Sequence, residues 1–350
     1  MSGIDIALSW IGKRASKKIN KPSVNEHSIK LEQTICEENA KNKYIFFQNL
    51  VAPLLSIMPS GDKYFFIKVL KKAKAILFFR KMPGEYAAIE HANVILAKIH
   101  EGKISGENRL WNGKKFAVAL THDVDDKQGY YAINEIAELE KKYKMRSAFF
   151  FVPFSKQYAF NRKDIDWLGN EGFEIALHGC THDMAIATKP EKKLTEILEK
   201  AIKKLGEKNP GYRSPGLSRG KKLIKVLEKT GVSYDSSYID FDLFSDAGVK
   251  TCHPYLFPET GLIEIPISAP TDEDIFKRSS DKNEILSTLK KRIKKVEQAG
   301  GVYVLLFHAR NFKQHKKLYE ELLQFIAKQN AFVATPKEII SKFRGDGNAI

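Results

Sequence analysis

From residue 115 onward the chain alternates short β-rich runs with segments of helical pattern, and this alternation limits its possible folds more than any other feature. The runs FAVALTHD, RSAFFFV, EIALHG, GYRSPG, VSYDSS, IEIPIS, VYVLLFHA and AFVATPKEI are separated by helical patterns near 130–143, 163–171, 191–206, 222–230, 284–299 and 315–328. Strands spaced by helices pair in parallel through crossovers. With seven or eight such strands, about seven of them parallel, and polar residues gathered at the carboxyl ends of most of them, the expected fold is a distorted α/β barrel rather than an open sheet.

Residues 1–110 differ: they are helical in pattern, lack strand runs and are broken by PSGD at 59–62 and MPGE at 82–85. A helical extension of unknown role, followed by a barrel over 111–350, is the expected organisation. On a helical wheel of residues 63–81, Phe65, Phe66, Val69, Leu70, Ala73, Ile76 and Leu77 share one face, and Lys63, Lys68, Lys71, Lys72, Lys74 and Lys81 lie opposite, with Arg80 out of place. Such a helix can pack on the barrel with a solvated basic side, or lie on an anionic membrane surface. The aromatics Tyr64, Phe78 and Phe79 on the basic side favour the membrane modestly.

At 43% hydrophobic and 29% charged, the 350 residues compose an ordinary globular protein. Cys36, Cys180 and Cys252 are odd in number and widely spaced with no CxxC pair, which suggests neither a disulfide framework nor a cysteine zinc site and predicts buried or free thiols in a reducing compartment. No secretory signal is recognised, and no run reaches the roughly 18 to 20 apolar residues that span a bilayer. The expected location is cytoplasmic, either free or peripheral to the inner face of the membrane. A net charge of +16 biases the chain towards anionic partners. Many lysines nevertheless fall on helical faces at 191–208 and 286–300, and there is no RNA-binding signature, so nucleic acid is not an expected partner.

The chemistry concentrates at strand ends. LTHDVDD (120–126) places a histidine and three aspartates within five positions after an apolar run. ALHGCTHD (176–183) holds His178 and His182, whose i, i+4 spacing converges two imidazoles either on a helical turn or in a strand-end loop. Two histidines and an aspartate suit Zn²⁺, Co²⁺, Mn²⁺ or Fe²⁺, with water at the open positions. Further strand ends supply Arg213, able to orient a carboxylate; Asp235, Ser236 and Asp240; and His308, able to protonate a leaving amine.

An aspartate-rich strand end, H-x-x-x-H, R-x-P, Y-D-S-S and a final L-x-H, in that order over roughly residues 115–340, resemble the polysaccharide deacetylase family, also called carbohydrate esterase family four or the NodB-homology domain. The resemblance implies a distorted (β/α) barrel, one divalent metal ion with zinc the first choice, and removal of N-acetyl or O-acetyl groups from sugars. It implies His178 and His182 as ligands, Arg213 and Pro215 as the R-x-P with Arg213 catalytic, His308 as general acid, and Pro215, Asp235 and Ser236 as substrate-binding residues.

The family's T-F-D-D-G is here Thr121-His122-Asp123-Val124, with valine in the slot of the metal aspartate. Thr121 aligns Asp123 with the base. Alternation along a strand brings Asp123 and Asp125 out on one side and His122 and Val124 on the other, so Asp125 is the expected ligand and Asp126 the reserve. The expected substrate is an acylated amino sugar, as a nucleotide-linked or lipid-linked precursor. The competing expectations are a deformylase or other C–N amidohydrolase on the same scaffold, and a degenerate barrel retained as a binding protein.

Overall fold

The computed structural model describes residues 111–240, 249, 251–257 and 260–344. The helical extension expected over 1–110, with its 63–81 segment, lies outside the described residues. The described strands are β1 (Phe116–Val124), β2 (Ala148–Phe151), β3 (Glu174–Leu177), β4 (Gly211–Tyr212), β5 (Tyr234–Asp235), β6 (Tyr255–Leu256), β7 (Ile263–Glu264), β8 (Val302–Leu306) and β9 (Ala331–Val333). The described helices of five residues or more are α1 (Lys127–Lys142), α2 (Asp166–Asn170), α3 (Glu191–Leu205), α4 (Lys221–Lys229), α5 (Asp272–Arg278), α6 (Lys282–Ala299), α7 (Phe312–Ala327) and α8 (Pro336–Arg344).

The sheet runs β6-β7-β5-β4-β3-β2-β1-β8, with β9 beside the first residues of β1. All pairs are parallel except β6 with β7. That antiparallel pair is the departure from an all-parallel expectation. It arises because Tyr255–Leu256 and Ile263–Glu264 are joined directly, without a helix to carry a crossover.

The sheet curls until its ends meet. Beyond β7, Ile267 donates its N–H to the Tyr238 carbonyl at 2.7 Å, and Ala269 donates to Val304 of β8 at 3.0 Å. Between them the Ser268 hydroxyl donates to the Val302 carbonyl (2.6 Å) and accepts the Val304 N–H (2.7 Å). The seam between β7 and β8 thus rests largely on one side chain, and the result is a distorted (β/α) barrel.

Strand alternation sorts the residues into two apolar layers. Ala117, Ala119, Ala148, Phe150, Ala176, Val302, Val304 and Leu306 belong to the interior cluster, while Phe116, Val118, Leu120, Phe149, Phe151, Leu177 and Leu305 pack under the helices. The alanines keep the interior of β1–β3 narrow, which leaves room at its upper end for polar side chains. Helix α3 shows why the helices dock: Leu194, Leu198, Ala201 and Leu205 form its buried stripe, and Gly206 ends it at φ 76°. Trp111 with Ile339, Ile340 and Phe343 of α8 extends the interior cluster.

Candidate metal centre and its acid–base flank

β1 carries the alternation through to the site. Thr121 and Asp123 follow Ala117 and Ala119 on the inner face, and His122 and Val124 turn towards the helices. The strand stops at Val124, and Asp125 follows as the chain turns into α1. Asp126 caps that helix, its carboxylate accepting the Gly129 N–H at 2.8 Å. The reserve aspartate therefore already has a structural partner.

Asp125, His178 and His182 come together in space. Their potential ligand atoms lie within 4.8 Å of one another, and Asp125 Oδ1 is 3.3 Å from Nε2 of each histidine. His178 Nδ1 is 2.9 Å from the Arg213 carbonyl, which can only accept, so that nitrogen carries hydrogen and Nε2 is turned to the cluster. Asp125 Oδ1 is buried and makes no hydrogen bond within the protein. A buried carboxylate oxygen without a donor, facing two imidazole nitrogens, suits a divalent cation, so the residues fit the ion that their chemistry implies.

The spacing of the histidines works through a loop, not a helix. Gly179 sits at φ 68°, and a Cβ there would lie 2.8 Å from the Pro215 ring; His182 itself adopts φ 57°. The left-handed region costs a non-glycine residue about 1–3 kcal/mol and persists where the surroundings over-determine it. Pro215, expected at the substrate, thus packs beneath the loop that carries both histidines.

Arg213 is fully buried and holds the base candidate. Its Nη1 donates to Asp123 Oδ1 (2.9 Å) and Thr121 Oγ1 (2.8 Å), Nε donates to the Ser236 carbonyl (2.9 Å), and Nη2 to Ser236 Oγ (3.0 Å). Phe150 covers its face, ring centroid 4.3 Å from the guanidinium carbon. Asp123 Oδ2 remains 3.8 Å from His178 Nε2. Burial disfavours a charged His178, but Asp123 and Asp125 outweigh it and raise its pKa. Burial also opposes the Asp125 carboxylate, yet His178 and His182 hold its pKa well below the ordinary value.

Residues 112–234 match the family model described as polysaccharide deacetylase. Over these residues the chain is similar to that family. Two solved structures are similar to the chain in fold. One is a Mycobacterium smegmatis protein assigned to the polysaccharide deacetylases, with TM-score 0.55 and 20% identity, covering 67% of this chain and 92% of that one. The other is PuuE allantoinase, with TM-score 0.56 and 13% identity, covering 70% and 96%. No curated protein sequence matches the chain.

The candidate site gains residues that its sequence did not single out. His308 Nδ1 lies 2.6 Å from Asp272 Oδ1, and Asp272 Oδ2 accepts both the His308 N–H (2.7 Å) and the Asn311 side chain (2.8 Å). Nε2 of the same ring is 3.5 Å from Asp125 Oδ2. Burial works against a charged His308, but Asp272 and, behind it, Asp125 and Asp123 prevail and push its pKa up to about 10. Arg310 bridges Asp125 Oδ2 (2.6 Å) to Glu273.

Asp235 and Ser236 stand apart from the expectation that placed them at a substrate. Both are buried: Ser236 is spent on Arg213 and on the Ile265 carbonyl, and Asp235 faces Ser237 and Glu264. Burial, opposed by Ser237, raises Asp235 to about 6, and burial with Asp235 beside it raises Glu264 as well. In this structure they brace the Arg213 loop from below. Asp240, also buried, pairs with Arg292.

Proposed function

We propose that the chain is a metal-dependent hydrolase that removes an N-acetyl or O-acetyl group from an amino sugar. The observation that carries this reading is the position of the Asp125–His178–His182 cluster between two differently held groups, Asp123 on Arg213 and His308 on Asp272. An ion held by the three residues would polarise the acyl carbonyl and acidify a water. Asp123 offers its free oxygen, Oδ2, to take the proton of the attacking water, with Oδ1 fixed by Arg213. His308, protonated at neutral pH and oriented through Nδ1, donates from Nε2 to the departing amine. Zinc is the first choice, with cobalt, manganese and iron as alternatives on the same donor set.

The basic composition supports a phosphate-bearing precursor, nucleotide-linked or lipid-linked, as substrate. No described helix is long and apolar enough to cross a membrane. The facial pattern of residues 63–81 supports peripheral attachment to an anionic inner membrane surface, which loss of liposome flotation on changing Lys68, Lys71, Lys72 and Lys74 to Gln would check. The C–N amidohydrolase alternative draws support from the fold shared with PuuE allantoinase.

The deciding experiment measures the metal content of protein purified without added metal. It then follows acetate and formate release from acetylated and formylated amino sugars side by side. Acetate release that stops on chelation and returns with Zn²⁺ is expected. Formate release alone would replace the deacetylase by a deformylase, and metal-free, inert protein would leave a degenerate barrel.

A further inference from the structure

Directly behind the site, on the helix side of β1, lies a polar cluster that the proposed chemistry does not use. His122, fully buried, has Nδ1 3.0 Å from the Phe307 carbonyl and Nε2 2.8 Å from Glu140 Oε1. Glu140 is equally buried, on α1, and its Oε1 also accepts the Tyr319 hydroxyl of α7 at 2.5 Å. Phe149 stacks on the imidazole at 5.1 Å between centroids, and Phe307 and Tyr319 meet it edge-on. Apolar side chains surround it, so a carboxyl group and an imidazole are expensive to keep there without a return.

The return lies in what Nδ1 touches. A carbonyl only accepts, so Nδ1–H donates to Phe307, the residue before His308. The Phe307 N–H in turn donates to the Thr121 carbonyl at 3.0 Å. Both backbone groups of Phe307 are therefore held by the Thr121–His122 pair, immediately before Asp123. Glu140 and Tyr319 fix the ring that makes the second bond, and they stand on α1 and α7, the helices that lead away from the two halves of the site.

We propose that His122, braced by Glu140 and Tyr319, is a positioning residue that clamps the end of β8 to the end of β1 and so sets the separation of Asp123 and His308. The catalytic consequence rests on the reading of those two residues as base and acid; the clamp itself does not.

The test uses the full chain and three replacements in a Glu140→Gln background, so that no variant leaves a buried carboxylate against an apolar side chain. His122→Asn places an amide N–H where Nδ1 stood and keeps the bond to Phe307. His122→Gln reaches towards position 140 and loses that bond, and His122→Phe fills the space with neither. Amide hydrogen exchange of residues 305–309 should rise about tenfold or more in the Phe and Gln variants and stay near the parent in Asn. With an acetylated amino sugar as probe, kcat should follow the same order, falling about tenfold or more in Phe and Gln with KM and metal content unchanged. Exchange and kcat that instead rank the variants by thermal stability, or do not separate Asn from Phe, overturn the clamp. If the parent releases no acetate, the deacetylase reading falls and the exchange pattern still decides the clamp.

Discussion

Arg213 binds one carboxylate oxygen of Asp123, Oδ1 at 2.9 Å, and leaves the other facing His178 Nε2 at 3.8 Å. The carboxylate is oriented without being used up, while Asp125, two residues on, has an oxygen with no hydrogen-bond donor at all. The two aspartates therefore separate on replacement. Asp123→Asn is expected to retain the ion and lower turnover by about 10²-fold or more, the worth of a general base. Asp125→Asn is expected to lose the ion first. Metal analysis beside the activity assay decides: full metal in Asp125→Asn, with loss in Asp123→Asn or Asp126→Asn, reassigns the ligand.

Removing the guanidinium is a stability experiment as well. Arg213→Met leaves Asp123 buried without its partner, and breaking a buried pair from one side costs about 3–5 kcal/mol. Urea denaturation should show that loss, and a smaller one in Arg213→Met/Asp123→Asn. Equal losses in the single and double variants would mean that packing, not charge, dominates at Arg213.

His308 depends on Asp272 for the hydrogen on Nδ1 and for the charge that favours its protonated form. Asp272→Asn is expected to reduce kcat by up to about 10²-fold to 10⁴-fold, the range for a general acid, with little change in KM. A variant that lost only substrate affinity would place Asp272 in binding instead.

Glu174 gives a pH signature free of the site. Burial raises its pKa to about 7, against the Lys337 N–H (2.9 Å) and the Tyr234 hydroxyl (2.7 Å) that hold it. The fold favours the protonated acid, so the contribution is intact below the ordinary value near 4.5 and is lost as pH rises towards 7, at up to about 1.4 kcal/mol per pH unit. Glu174→Gln keeps an acceptor for Lys337 and an amide for the tyrosine oxygen. Its stability relative to the parent should rise between pH 5 and pH 8 in urea titrations; a flat difference would show that the acid is not protonated in the fold.

The legible parts of the molecule were those written in local periodicity. Alternation along 116–124 placed Asp123 inside and His122 outside, and strand–helix alternation foretold the barrel. Asp272 was hidden because Thr271, Asp272, Glu273 and Asp274 read as an ordinary capped helix start, and Thr271 does cap α5. The available signal was its position just after the strand end opposite His308. Glu140 was masked in the same way, one acid in the charged run ELEKK, and only the packing of α1 against α7 reveals it as buried. The reversal of β6 joins two strands of two residues each, too short for either to show a period of its own.

The hydroxyl of Ser268 gives the barrel a fault line. Every other junction in the described sheet is a strand pair or a bridge between main chains, whereas here one oxygen both donates to Val302 and accepts from Val304. Exchanging it for a hydrogen in Ser268→Ala would strip two main-chain groups of β8 of their partner and leave the Ala269 to Val304 bond and that of the Val302 N–H to Cys252. His308 and Asp272 flank this line from opposite sides, one after β8 and one beyond β7, so this hydrogen-bonded pair would drift apart as the wall unzips.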